Sequence, residues 1–461
     1  MTALLGLSLD DRALAVAAEG RVLGVAPSIV RRAGGAEPAG TPAADLLRSR
    51  PAEVSARHWS DIAAETAASA AGRSLAVLEL RARLREAGCG DARRGAWIAV
   101  SAAFTPRALS DVLAAAQAAA LDVRGFVDAA VATVAPLGLA RPAIVLEMGL
   151  FHVAATAVEC GAVVRRRRSI VSRGGGLLDI YQSWLDVVSA AMVLRTRFDP
   201  LHDAAVEQRL FGDLPRLSAQ AIEHGSATVV LAGATGERHG IAIARDQFAA
   251  AAGARYRELE RCLHELRRAG APVAVVVPAA LLALAGLRER LQTLSDCELI
   301  AVPDGWAAAV ASQLPDEAVE GGHVRLLRRL AATTRLPEGE APAREHLGER
   351  RGAGIDPTHV LHAGRALPLT PRGLSVGREG NPVEIAAPAG AAGVSRRHCT
   401  ILRGNDGVVL VDHSRYGTWV NDERVAGRAL LHAGDTVRIG EPGIDLTLIS
   451  VGGAHAQAAP G

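Results

Sequence analysis

The chain has 461 residues, 49% of them hydrophobic, too many for one core and enough for two or three. Its 51 basic and 49 acidic side chains leave a net charge of +2, which argues against the one-signed surface of a nucleic-acid or membrane-surface binder. The basic residues are all Arg, so lysine Schiff bases, general bases and phosphate clamps are excluded; with abundant Ala and Gly, this composition is expected of a GC-rich bacterial genome.

Cys89, Cys160, Cys262, Cys297 and Cys399 have no C-x-x-C spacing, as expected of unpaired thiols in a reducing compartment. Asp10 and Asp11 interrupt the leading apolar stretch before it reaches export length. The longest uncharged run, between Arg268 and Arg288, is broken by Gly270, Pro272, Pro278 and Gly286, and reads as a buried strand followed by a helix. A cytoplasmic chain without a membrane span is expected.

In chain order, residues 4–9, 13–17 and 22–25 read as a three-strand meander, followed by a Gly/Pro/Ala-rich connection over 31–56. A helix is predicted over 60–86, then a strand at 97–100, a helix opened by Thr105-Pro106, a strand at 121–123 and a helix at 127–134. The pattern then restarts. Residues 144–148, 153–158 and 162–171 give a second meander, with Arg165 to Arg168 read as a solvated edge, and Gly174-Gly175-Gly176 as a flexible turn into a helix over 177–195. Strands at 228–231 and 240–243, a long helix over 245–268, a strand at 273–277, a helix to about 293, a strand at 298–302 and a helix opened by Asp304 follow. Two copies of a meander with an α/β run predict an internal duplication with a cleft between halves.

Residues 99–105, the helix after them, Leu121-Asp122-Val123 and the Ala-rich helix at Asp128 resemble the first connecting segment of actin-like ATPases, closest to DnaK-type heat-shock chaperones. Arg245-Asp246-Gln247-Phe248 resembles that family's entry to its long helix, and residues 303–310 its closing helix. The resemblance covers about residues 3–315 and implies a duplicated actin-like (ribonuclease H-like) α/β domain. Its nucleotide loops are degenerate. The family's metal-side Asp lines up with Ser8 and its loop glycine with Asp10. The second loop lines up with Glu147-Met148-Gly149-Leu150-Phe151-His152, which keeps only Gly149, and the adenosine loop lines up with residues 277–281 and keeps nothing. An acidic side chain beside a triphosphate repels it and a lost glycine blocks backbone approach, so a pseudo-ATPase without cofactor is expected. His152 and Glu147 read as core or surface residues, not an acid/base pair.

Beyond residue 315 a helix is predicted near 324–331, then a solvated linker to 357, read as an unmodified spacer, with phosphorylation of Thr333 and Thr334 and their capture in cis as the alternative. The C-terminal stretch carries Val376-Gly377-Arg378-Glu379, Val394-Ser395-Arg396-Arg397-His398 and a run from Val411 to Asn421, between short apolar alternations broken by turns such as 404–407. This predicts a small antiparallel sandwich with polar loops. A phosphate dianion needs a guanidinium fork, a hydroxyl and freed backbone N–H groups, which Arg378, Ser395 and the turn Tyr416-Gly417-Thr418 offer.

The order G-R, S-x-x-H, S-x-x-G-T-x-x-N and L-x-x-G-D-x-x-x-x-G resembles the forkhead-associated (FHA) domain over about the last quarter of the chain. That resemblance implies phosphothreonine held by Arg378 and Ser395, a second phosphate or backbone contact from Arg396, and contacts from Arg415, Tyr416, Gly417 and Thr418. It also implies that Gly377, His398 and Asn421 support the loops. Where the family often has S-x-N-G-T, this chain has Ser414-Arg415-Tyr416-Gly417-Thr418, and a phenol does not offer the paired donor and acceptor of an amide.

The expected organisation is an actin/DnaK-like domain over 1–315, a helix and linker over 316–357, an FHA β-sandwich over 358–452 and a disordered tail over 453–461. The expected function is an adaptor for a threonine-phosphorylated protein, and by implication downstream of a Ser/Thr kinase. Its alternatives are a divergent chaperone-like ATPase using ATP and magnesium, regulated through its FHA domain, and a structural subunit binding unphosphorylated partners.

Overall fold

The computed structural model describes residues 3–33, 38–66, 69–90, 93–233, 236–269, 272–294, 297–316, 324–333, 335–347, 356–370, 372–388, 391–404, 407–421, 423–425, 427–440 and 443–451. Thr334, the centre of the turn at 404–407 and the C-terminal tail lie outside them. The chain forms two compact units: Met1–Leu263 with Ala274–Leu294 and Glu298–His346, and His264–Val273 with Ser295–Cys297 and Leu347–Gly461.

The first unit is mixed α/β, with two large sheets. In spatial order the first runs Leu326–Leu327, Leu121–Asp128, Arg94–Val100, Leu5–Leu9, Ala13–Ala18 and Arg21–Pro27. Leu5–Leu9 is its centre, antiparallel to Ala13–Ala18 and parallel to Arg94–Val100. Covered on both faces, it is nearly all apolar, as a strand buried on two sides must be. The second sheet runs Arg329–Ala331, Val163–Arg173, His152–Glu159, Ala143–Met148, Val273–Pro278, Cys297–Val302 and Ala343–Leu347. Its Ala143–Met148 pairs antiparallel with His152–Glu159 and parallel with Val273–Pro278. Setting aside the short edge strands, both sheets repeat one order: a meander whose first strand lies innermost, then the next two strands of the same sheet in sequence.

Several elements differ from the sequence reading. The helix predicted over 60–86 is two, His58–Ala63 and Ser69–Glu86, folded together so that His58 Nε2 and Trp59 Nε1 both lie 2.6 Å from the buried Glu79 Oε2. The helix predicted to end near 293 is a short 3-10 turn and a short helix, Leu287–Leu291. Gly286 separates them at φ 87, where an added Cβ would lie 2.5 Å from Ala249 Cβ.

The helix predicted near 324–331 is absent. Leu326–Leu327 and Arg329–Ala331 are strands, pairing with Phe126–Val127 and with Val163–Arg165 at the edges of the two sheets. Unpaired backbone at a sheet edge outweighs the helical spacing of Leu326, Leu327 and Leu330. That pairing covers Val163 to Arg165 of the strand read as a solvated edge, while Arg165, Arg167 and Arg168 stay exposed; Arg165 and Arg167 pair with Glu159 and Arg166 with Asp128. Part of the stretch read as a linker, Ala343–Leu347, is a strand of the second sheet.

By length and composition Leu177–Thr196 could cross a membrane, the one such helix among the described residues. In the fold its Ile180, Trp184, Leu185, Val188 and Met192 are buried, and Trp184 Nε1 donates to the Phe248 carbonyl at 2.8 Å.

The second unit is all-β. One sheet runs Ile385–Ala387, Leu374–Arg378, Cys399–Gly404, Gly407–Asp412 and Arg428–Leu431. The other contains Glu423–Val425, Thr418–Val420, Thr436–Gly440, Gly443–Ile449, His359–His362 and Arg365–Pro368, in that order. Val376, Ile401, Leu410, Leu431, Val437 and Leu448 are among the side chains of one common core. Alternation along each strand sends the other residues outward and leaves the loops to carry the polar groups.

Candidate functional site

In the second unit, three loops hydrogen-bond to one another around Arg378 and Ser395. Gly377 lets them meet: an added Cβ would lie 2.1 Å from the Arg396 carbonyl oxygen. Arg378 N–H donates to the carbonyls of Ser395 at 3.0 Å and Arg396 at 3.3 Å. Its Nε and Nη2 donate to the Val394 carbonyl at 3.1 and 2.7 Å. That seat fixes one edge of an exposed guanidinium and leaves Nη1 and the outer Nη2 hydrogen for a ligand.

His398 is fully buried and supports the serine loop. Its Nδ1 accepts the Ser395 N–H at 3.2 Å, which places the ring proton on Nε2, donating to the Gly417 carbonyl at 3.0 Å. Burial lowers its pKa, keeping the ring neutral for that double role. Ser395 Oγ accepts the Arg415 N–H at 3.2 Å, so its own hydrogen is available to an anion. The Tyr416 side chain is 61% exposed. Arg415 lies 5.9 Å from the Tyr416 ring centroid, and no carboxylate among the described residues pairs with Arg378, Arg396 or Arg415.

Gly417 and Thr418, read as ligand contacts, are committed within the protein. Gly417 N–H donates to Ser414 Oγ at 2.7 Å, and its φ of 108° and the Arg424 guanidinium, 2.6 Å from an added Cβ, require glycine. The Thr418 hydroxyl, fully buried, donates to Asp412 Oδ1 at 2.7 Å. Among the described residues, the turn's unengaged backbone donor is the Tyr416 N–H. Asn421, at φ 49°, takes the Thr436 N–H on Oδ1 at 2.9 Å and donates to Asp435 at 2.7 Å.

In the first unit, Ser8, Asp10 and Glu147 line one cavity of about 90 Å³ with Arg12, Thr133, Pro278 and Asp304. Small-molecule sites usually offer roughly 300 Å³ or more. Burial, then the neighbouring Asp11 charge, pushes Asp10 up to about 7; burial, then Asp10, does the same to Glu147. Gly149 lies beside them, where an added Cβ would meet Asp11 Oδ1 at 2.0 Å.

The sequence reading passed over Asp11 itself. Burial opposes its charge, yet hydrogen bonding and charge from His152, with the Ser60 hydroxyl, hold it down at about 2. Despite its own burial, His152 is raised to about 9 by Asp11. The raised His152 and the lowered Asp11 both shift toward the ionised forms of the pair. Two consecutive carboxylates in a tight hairpin turn were the available signal.

Residues 374–440 match the family model of the FHA domain. The C-terminal region is thus an FHA domain, a phosphothreonine-binding module, and such modules bind phosphothreonine-containing proteins. A comparison with curated proteins gives no match.

Proposed function

We propose that this protein is a cytoplasmic adaptor that recognises a threonine-phosphorylated partner, the product of a Ser/Thr kinase, while its N-terminal region is a catalytically silent actin/DnaK-like domain that uses no nucleotide. The observation that carries the first part is the Arg378 seat on the Val394 carbonyl, next in sequence to Ser395, which fixes one edge of an exposed guanidinium and leaves the other edge unengaged. With the Tyr416 N–H, these are the donors a phosphate dianion needs. Arg396 and Arg415, both exposed and without carboxylate partners among the described residues, favour acidic residues beside the phosphothreonine.

The repeated strand order of the two large sheets supports the actin-like reading. A cavity of about 90 Å³ lined by Asp10, Glu147 and Asp304 disfavours a triphosphate by size and charge. The test is a phosphothreonine peptide array probed with the full chain and with Arg378→Ala. Phosphate-dependent spots lost in the variant support the reading; spots indifferent to phosphate or to Arg378 overturn it.

A further inference from the structure

We propose that the turn Gly149–Phe151 is an oxyanion cradle whose resident ligand is the chain's own Asp11 carboxylate, delivered from the hairpin turn between Leu5–Leu9 and Ala13–Ala18. Leu150 N–H donates to Asp11 Oδ1 at 2.7 Å and Phe151 N–H to Oδ2 at 3.4 Å, two successive backbone donors converging on one anion. Ser60 Oγ donates to Oδ2 at 2.6 Å, and His152 Nδ1 lies 3.3 Å from the same oxygen. Asp11 is 3% exposed and His152 8%, so the pair is held away from water.

The cradle is rigid because its remaining backbone groups are engaged elsewhere. Gly149 N–H donates to the His152 carbonyl at 2.9 Å, while Leu177 and Leu178 N–H groups hold the carbonyls of Gly149 and Leu150 at 2.9 and 3.2 Å. Gly176 permits this: an added Cβ there would lie 2.3 Å from the Leu150 carbonyl oxygen, so the last glycine of the run makes a close backbone contact. His152 Nε2 is buried and has no hydrogen-bond partner among the described residues. This set of groups, two amides, a hydroxyl and a cation, would hold a carboxylate or a phosphate oxygen pair equally well. The inference deepens the silent-cleft reading by naming what stands in the phosphate's place; the cradle itself rests on geometry alone.

The test is chemical rescue of the full-length chain. Asp11→Ala should lower the unfolding temperature of the N-terminal region and speed exchange of the Leu150 and Phe151 amides by roughly tenfold or more. Formate or acetate at tens of millimolar should restore much of both, and leave the wild type unmoved. Inorganic phosphate is a parallel arm that shows whether the vacated cradle prefers a carboxylate or a phosphate. If Asp11→Ala does not fold, exchange in the wild type still decides, because Leu150 and Phe151 must be among its protected loop amides.

Unprotected amides in the wild type, or equal responses of variant and wild type to the anions, would overturn the cradle. Titration of wild type with ATP and magnesium separates the two ideas. Nucleotide binding alongside successful rescue would refute the silent reading and leave the cradle standing.

Discussion

The loops around Arg378 and the turn around Gly149 are built from the same chemistry, backbone N–H groups, one hydroxyl and one cation, and they differ in what fills them. In the C-terminal domain the structural hydrogen bonds are completed first: His398 holds Ser395, Val394 holds Arg378, and Asp412 holds Thr418, leaving a guanidinium edge and a hydroxyl hydrogen facing solvent. In the N-terminal unit the corresponding donors close on Asp11. Oriented donors thus specify an anion without specifying its origin, and binding capacity depends on whether the chain supplies its own.

That contrast can be broken from either side. Arg378→Ala removes the cation of the open site and should weaken phosphothreonine-peptide binding by about a hundredfold, measured by fluorescence anisotropy. Its backbone bonds to Ser395 and Arg396 would survive, so thermal unfolding should barely move.

On the other side, Glu147→Gln tests the crowded carboxylates. Glu147 is raised from 4.5 to about 7, so as pH rises from 4.5 the unfolded chain ionises first and stability is lost up to about pH 7. The variant, with an amide oxygen still able to accept the Ser101 hydroxyl, should gain on the order of 2 kcal/mol at pH 8 relative to its difference at pH 4, read from denaturant unfolding. The Asp11–His152 pair has the opposite profile. Asp11's contribution is complete above 3.8 and lost as pH falls toward about 2, while that of His152 is complete below 6.5 and lost as pH rises through about 9.

Ser395→Ala deletes one hydroxyl donor to the phosphate and should cost about tenfold in peptide affinity. Tyr416→Asn restores the amide seen more often in FHA domains at this place and should strengthen binding by a few-fold, without changing dependence on the phosphate.

The FHA domain was legible because short spacings such as G-R and S-x-x-H tie residue type to loop position. Which donors stay open was not legible: Gly417 and Thr418 look like ligand contacts until Ser414 and Asp412 are seen to engage them. The strands at 326–331 were hidden for a related reason, since sheet edges formed by residues 121–128 and 163–173 decide the conformation of a segment whose own spacing is helical. In the N-terminal unit, sequence pointed to Asp10, which lines the small cavity, and did not reveal that its neighbour Asp11 takes the Leu150 and Phe151 N–H groups.

The most direct measurement is hydrogen–deuterium exchange on the full-length chain with a pool of phosphothreonine peptides carrying acidic flanks, and separately with ATP and magnesium. Protection gained at residues 394–396 and 415–417 with the peptides, and no change at 8–12 or 147–152 with nucleotide, is the result this account predicts. Protection of 8–12 and 147–152 by ATP, with the C-terminal loops indifferent to phosphothreonine, would contradict it.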